Sequence, residues 1–260
     1  MKIATERDKS RILEYLEHDL ENCIYLYIDI TNYGISTENM TVWVEEDHDE
    51  LNLVIMKYYD SYQIYSHTPL SRIEDVIKLF HSYPSTMISG RKDIIRQLES
   101  NLRNYRAYYG TIFILDKYRH FKASENIEKA VPDDAEEIAR LICSDGEIGS
   151  HYTVIDLARQ LKERIQSKTG RSYIIRRNGE IIAHTATYAE TGKIAVVGGT
   201  IVKQEYRNLN YYMLLSNHIL QQLIEEGKTA YTFSITEKMI QFHKKIHTQC
   251  SEYGKLIINK

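Results

Sequence analysis

The sequence predicts an α/β (α+β) protein: a mixed, twisted sheet flanked by helices and built as two tandem halves. Three observations carry this expectation. Short strand-like runs alternate with amphipathic helical stretches along all 260 residues. A polar stretch of mixed charge, Asp116 to Glu125, interrupts the apolar periodicity near the middle. The chain then starts again. Its second half reads β-αα-β-β-β-α-β-α-β, and the first half ends in a similar strand, helix, short strand, helix, strand. Domains over residues 1–120 and 125–260 are therefore expected, joined by a short ordered connector.

In the first half, Ile12, Leu13, Leu16 and Leu20 fall at helical spacing and predict a helix from about Glu6 to Glu21. Strands are expected at Ile24–Ile30, Thr41–Val44, Leu51–Lys57 and Tyr62–Ser66, with a turn of acidic residues and His48 between the second and third. Ser71, followed by Glu74 three positions on, reads as a helix N-cap with its capping box. The helix it opens carries Ile73, Val76, Ile77 and Phe80. A short strand Ser85–Ile88, a helix Asp93–Leu102 and a strand Tyr105–Leu115 complete this half.

In the second half, Ile127–Ala130 reads as a strand. Pro132, Asp133 and Asp134 open a helix, since proline suits the first helical position and acids suit the positive helix start. After the loop Ser144–Thr153 comes a helix over Val154–Gln166. Strands Arg171–Arg177 and Glu180–Tyr188 are joined by Asn178-Gly179, a hairpin turn pair. A strand Lys193–Val202 runs into a polar loop and a helix of about Asn210 to Glu226, stopped by Gly227. Strand Thr229–Ser234, helix Glu237–His247 and a strand near Ser251–Ile258 follow.

Composition excludes several function classes. A net charge of -3 gives no general attraction to nucleic acid or to an anionic membrane. There is no N-terminal apolar targeting segment and no run long enough to span a bilayer, so a cytoplasmic location is expected. Cys23, Cys143 and Cys250 lie far apart, without metal or disulfide spacing. No zinc, calcium, P-loop or nucleophile-elbow motif occurs, so no metal is expected. The 21 tyrosines sit largely in strand-like runs, where a ring packs and a hydroxyl reaches water.

The stretch richest in chemistry is strand, loop and helix from Lys193 to Gly227. A helix start leaves backbone N–H groups without partners and carries partial positive charge, which suits a phosphate. The run Val202-x-x-x-Tyr206-Arg207-x-x-x-Tyr211 resembles motif A of the GCN5-related N-acetyltransferases, and the element order from Glu125 to Lys260 matches that family. The resemblance implies an acyl-CoA N-acyltransferase-like fold, with a motif-free N-terminal half. It implies acetyl-CoA as cosubstrate and an amine of a small molecule or protein as acceptor. The N-terminal half is then expected to form part of the acceptor cleft or a homodimer surface.

By the same resemblance, Arg207, Asn208, Leu209, Asn210, Tyr211 and Tyr212 would line the pyrophosphate. Thr200, Ile201 and Val202 would offer backbone groups to the pantetheine arm. The family's loop glycines are absent. Asn208 and Asn210 replace two of them, and Asn tolerates positive φ better than most residues. Tyr212 stands where a small residue is expected. Gly198-Gly199 in mid-strand reads as a bulge near the thioester or as a packing accommodation. His243 falls at the position of the family's tyrosine general acid. It reads either as the proton donor or as a solvent-facing residue beside Lys244 and Lys245. Glu147, in the loop that contacts acceptors, is the candidate base, with His151 beside it. The alternative function is a non-catalytic binding or regulatory module of the same fold.

Overall fold

The computed structural model describes residues 1–48, 50–117, 126–146, 149, 152–207 and 210–259. In chain order its strands and helices are β1 (Lys2–Ile3), α1 (Lys9–Glu17), α2 (Ile24–Tyr33), β2 (Met40–Asp47), β3 (Glu50–Tyr58), β4 (Ser61–Tyr65), α3 (Ile73–Ser82), β5 (Met87–Arg91), α4 (Lys92–Glu99) and β6 (Tyr105–Ile114). There follow β7 (Ile127–Lys129), α5 (Ala135–Cys143), α6 (Val154–Ser167), β8 (Ser172–Arg177), β9 (Glu180–Glu190), β10 (Ile194–Val202), α7 (Tyr211–Glu225), β11 (Thr229–Ser234), α8 (Glu237–Lys244) and β12 (Thr248–Ile258). No described helix is long and apolar enough to cross a membrane.

The chain divides into two compact units. The first is Met1–Phe113 together with Phe233–Lys260, and the second is Ile114–Thr232. In the first unit the strand order is β1-β2-β3-β4-β5-β12-β6. One core cluster holds it together, from Trp43, Ile55 and Tyr62 through Val76, Phe80 and Ile95 to Leu256. The segment expected to close the second half therefore belongs here. β12 pairs antiparallel with β5 from Tyr253↔Arg91 to Ile257↔Met87, and Leu256 is fully buried in this core. A local reading of the final strand cannot tell which sheet it will join.

Three further expectations in this unit are corrected. Ile24–Ile30 is helical, within α2. Ile24, Leu26, Ile28 and Ile30 alternate with Tyr25, Tyr27 and Asp29, so the run reads as a strand at period two, while Tyr25, Asp29, Asn32 and Tyr33 form the less buried face of the helix. The helix stops where Gly34 takes a φ of 88°. The first expected helix is broken into a 3-10 turn Glu6–Asp8, α1, and a second 3-10 turn Leu20–Asn22. Arg72 rather than Ser71 occupies the N-cap of α3, without a side-chain cap bond.

In the second unit the order is β11-β10-β9-β8-β7. Alternate residues of β8 go to opposite faces, as strand geometry requires. Tyr173 and Ile175 pack with Tyr211, Leu215, Ile219 and Leu223 of α7. Ile174, with Ile181 and Ile201, packs under Ile138, Ile142, Leu157 and Leu161 of α5 and α6. The expected hairpin is present: Asn178 and Gly179 have φ of 51° and 82°. A largely buried ion network ties the ends of this unit together. Arg171 meets Glu190 and Glu226, and Lys228 meets the same two carboxylates at 2.7 and 3.0 Å. Burial pushes the Glu190 carboxyl up, but hydrogen bonds from Arg171, Lys228 and Thr187 outweigh it and leave it lowered. Hydrogen bonding from Arg171 holds Glu226 at about 2.

Candidate functional site

β10 has two neighbours, and it leaves them at different places. Parallel pairing with β11 covers Ile194↔Thr229, Ala195↔Ala230 and Val196↔Tyr231. Antiparallel pairing with β9 continues to Val202↔Ala183. From Val197 onward, the β10 edge turned away from β9 lies beyond the register with β11.

The register with β9 slips just beyond that parting. Between Gly198↔Ala186 and Ile201↔His184, Gly199 and Thr200 together oppose Thr185. Gly199 has a φ of 61°, a conformation glycine adopts without penalty. The ring of Tyr188 covers the pair, and a Cβ on Gly198 would stand 2.7 Å from its Cε2. The Thr185 and Thr200 hydroxyls meet at 2.7 Å. His184, fully buried, places Nδ1 3.0 Å from the Gly199 carbonyl oxygen. A carbonyl can only accept, so Nδ1 carries the proton. Nε2 is buried and finds no partner among the described residues. Burial pushes the His184 imidazole down to about 4, so it is neutral at neutral pH.

After β10 a 3-10 turn, Gln204–Tyr206, leads to Arg207. The Arg207 guanidinium reaches back: Nε donates to the Val202 carbonyl at 3.0 Å and Nη2 to Asp145 Oδ2 at 2.8 Å. Its charge is thus already matched by a carboxylate. Asn208 and Leu209 lie outside the described residues. Asn210 has a φ of 60° at the N-cap of α7, with no side-chain cap bond, and the Leu214 N–H donates to its carbonyl. The N–H groups of Tyr211, Tyr212 and Met213 therefore precede the first intrahelical bond, and no acid stands in that turn.

The two tyrosines turn inward. Tyr211 is buried in the core, with the Arg177 guanidinium over its ring at 5.7 Å and over Tyr206 at 5.9 Å. Tyr212 packs against the same cluster; burial raises its hydroxyl to about 12 despite a hydrogen bond with Ser216, one turn on.

His243 lies on α8, in the first unit. It is 6% exposed, among the rings of Phe113, Phe242 and His247 at 5.2–5.5 Å, so it is not the solvent-facing residue one reading expected. Burial, then the neighbouring His247, pushes its pKa down to about 4. At neutral pH it has no imidazolium proton to give. Glu147 and His151 lie outside the described residues. Among the described residues no group of three or more His, Cys, Asp or Glu could hold a metal ion. Sequence reasoning missed His184 and the Asp145 partner of Arg207. The one sits in an ordinary strand run and the other is 62 residues from its arginine, so neither carries a local signal.

No family model and no curated protein matches the sequence. Solved structures do match. A Drosophila protein aligns with a TM-score of 0.73 at 11% identity, over 99% of this chain and 98% of its own. A GCN5-related N-acetyltransferase-like protein from Streptococcus suis aligns with a TM-score of 0.64 at 12% identity, over 98% and 100%. A tandem GNAT protein from the clavulanic acid biosynthesis pathway gives 0.59 at 12%, over 98% and 96%. The fold is that of a tandem GCN5-related N-acetyltransferase. Within this acetyltransferase fold the open β10 edge, the bulge and the start of α7 lie consecutively along residues 197–213.

Proposed function

We propose that the second unit binds acetyl-CoA and that the protein transfers the acetyl group to an amine of a small molecule or protein. The observation that carries this reading is the parting of β10 from β11 at Val196, followed at once by the bulge. Backbone amides along Thr200, Ile201 and Val202 suit an extended arm bearing amide groups. The first-turn N–H groups of α7 suit a pyrophosphate. The packing of Tyr211 within the core, and of half-buried Tyr212 against it, supports the fit, because it draws both bulky side chains toward the core. When bound, acetyl-CoA supplies an activated acyl carbon and a thiolate leaving group. A thiol of ordinary acidity, near 8.5, leaves without an obligatory donor, so the buried His243 is given no catalytic role. Glu147 remains the proposed base for the amine.

Calorimetric titration with acetyl-CoA and with CoA tests the reading. Binding that weakens in Arg207→Ala supports it, and no heat at millimolar ligand sinks it. A second reading, a non-catalytic module, is favoured by one contact: Asp145 already occupies the Arg207 guanidinium. Tight binding of acetyl-CoA without hydrolysis or transfer to any amine tried would favour that module.

A further inference from the structure

We infer that His184 is a positioning residue for acyl transfer: it holds the Gly199 carbonyl and thereby aims the Thr200 N–H away from β9 as a donor to a ligand carbonyl oxygen. Gly199, at a φ of 61°, takes its carbonyl out of the regular ladder with β9. A carbonyl so displaced is free to take another donor. His184 Nδ1–H is that donor, at 3.0 Å. The Gly199–Thr200 peptide is planar and trans, so its C=O and N–H point in opposite directions. A carbonyl held on the β9 side therefore turns the Thr200 N–H to the other side, where β10 has already left β11.

Volume filling is the competing role for a fully buried histidine. It does not account for the buried Nε2, which finds no partner among the described residues; a leucine would fill the space without burying a bare lone pair. The Tyr188 ring over Gly198 and Gly199 keeps both positions free of a Cβ, so the left-handed conformation is available and must be held in place by something. The direction of the peptide rests on this geometry alone. Its use by a thioester carbonyl rests on the acetyl-CoA reading above.

Two variants separate the roles. His184→Asn keeps a donor at the δ position but loses volume; His184→Leu keeps volume but loses the donor. Turnover in His184→Leu should fall on the order of a hundredfold at unchanged acetyl-CoA affinity, while His184→Asn stays within about tenfold of wild type though it melts earlier. The crystal structure of His184→Leu should have the Gly199 carbonyl turned from its wild-type direction. Wild-type turnover in His184→Leu, or losses that track stability in both variants, would overturn the inference. Should wild type bind no acetyl-CoA, the proposed function fails. The His184 inference is then decided by the peptide direction in the His184→Leu crystal, an unchanged direction refuting it. Nitrogen-15 NMR of wild type gives a check that needs no variant. The Nδ1–H tautomer is expected, and an Nε2–H tautomer refutes the inference.

Discussion

Replacing Gly199 by alanine tests the bulge directly, and the cost can be worked from two terms. Alanine at a φ of 61° costs about 1–2 kcal/mol, because its Cβ crowds the following carbonyl. The new Cβ would also run into the Tyr188 hydroxyl and stand 2.9 Å from its Cζ. Displacing that packed ring costs about 1–3 kcal/mol. Gly199→Ala should therefore lose about 2–5 kcal/mol in urea unfolding with an unchanged slope. Gly198 has no positive φ, so Gly198→Ala should lose only the ring term, about 1–3 kcal/mol. Adding Tyr188→Phe to Gly199→Ala should recover part of the ring term and none of the backbone term. A loss below about 0.5 kcal/mol for Gly199→Ala would refute the reasoning, since surface-like tolerance is incompatible with a held bulge under a packed ring.

Asp145→Asn frees the Arg207 guanidinium and should tighten acetyl-CoA binding by about fivefold, near 1 kcal/mol, in a calorimetric titration; weaker binding would place Arg207 away from the phosphates. Both His184 and His243 have folded values near 4 against an ordinary 6.5. The unfolded chain therefore binds protons first, and stability should fall as pH drops from about 6.5 to about 4. His243→Phe should flatten that slope in melting curves. The carboxyls of Glu190 and Glu226 are held below the ordinary 4.5, so their contribution is present above that pH and lost as pH falls below it, for Glu226 toward about 2. Glu190→Gln should melt earlier at pH 7 and show a shallower acid decline.

How much was legible in the sequence depended on whether the deciding physics was local. The Asn178-Gly179 hairpin and the left-handed Asn210 were readable because each follows from one residue's backbone tolerance. The strand–loop–helix from β10 to α7 was readable because its apolar periodicity changes from two to 3.6 across a polar loop. α2 was read as a strand because Ile24, Leu26, Ile28 and Ile30 alternate at the strand period along the run. The exposure of His243 was misjudged because two neighbouring lysines suggested solvent, whereas its ring turns toward Phe113, 130 residues earlier in the chain. Asp145 on Arg207 and His184 on Gly199 are tertiary pairings, which no spacing along the chain encodes.

The insertion of β12 between β5 and β6 has a consequence for the order of synthesis. On a ribosome, β5 and α4 emerge long before the strand that completes their sheet; Lys92 and its partner Glu252 are 160 residues apart. At ordinary elongation rates that interval is about 10–30 s. Through that interval the nascent first unit carries an unpaired β5 edge and lacks Leu256 from its core, while the residues of the second unit, contiguous in the chain, can close at once. Folding of the second unit ahead of the first, and chaperone capture at the waiting β5 edge, are the expected outcomes during translation.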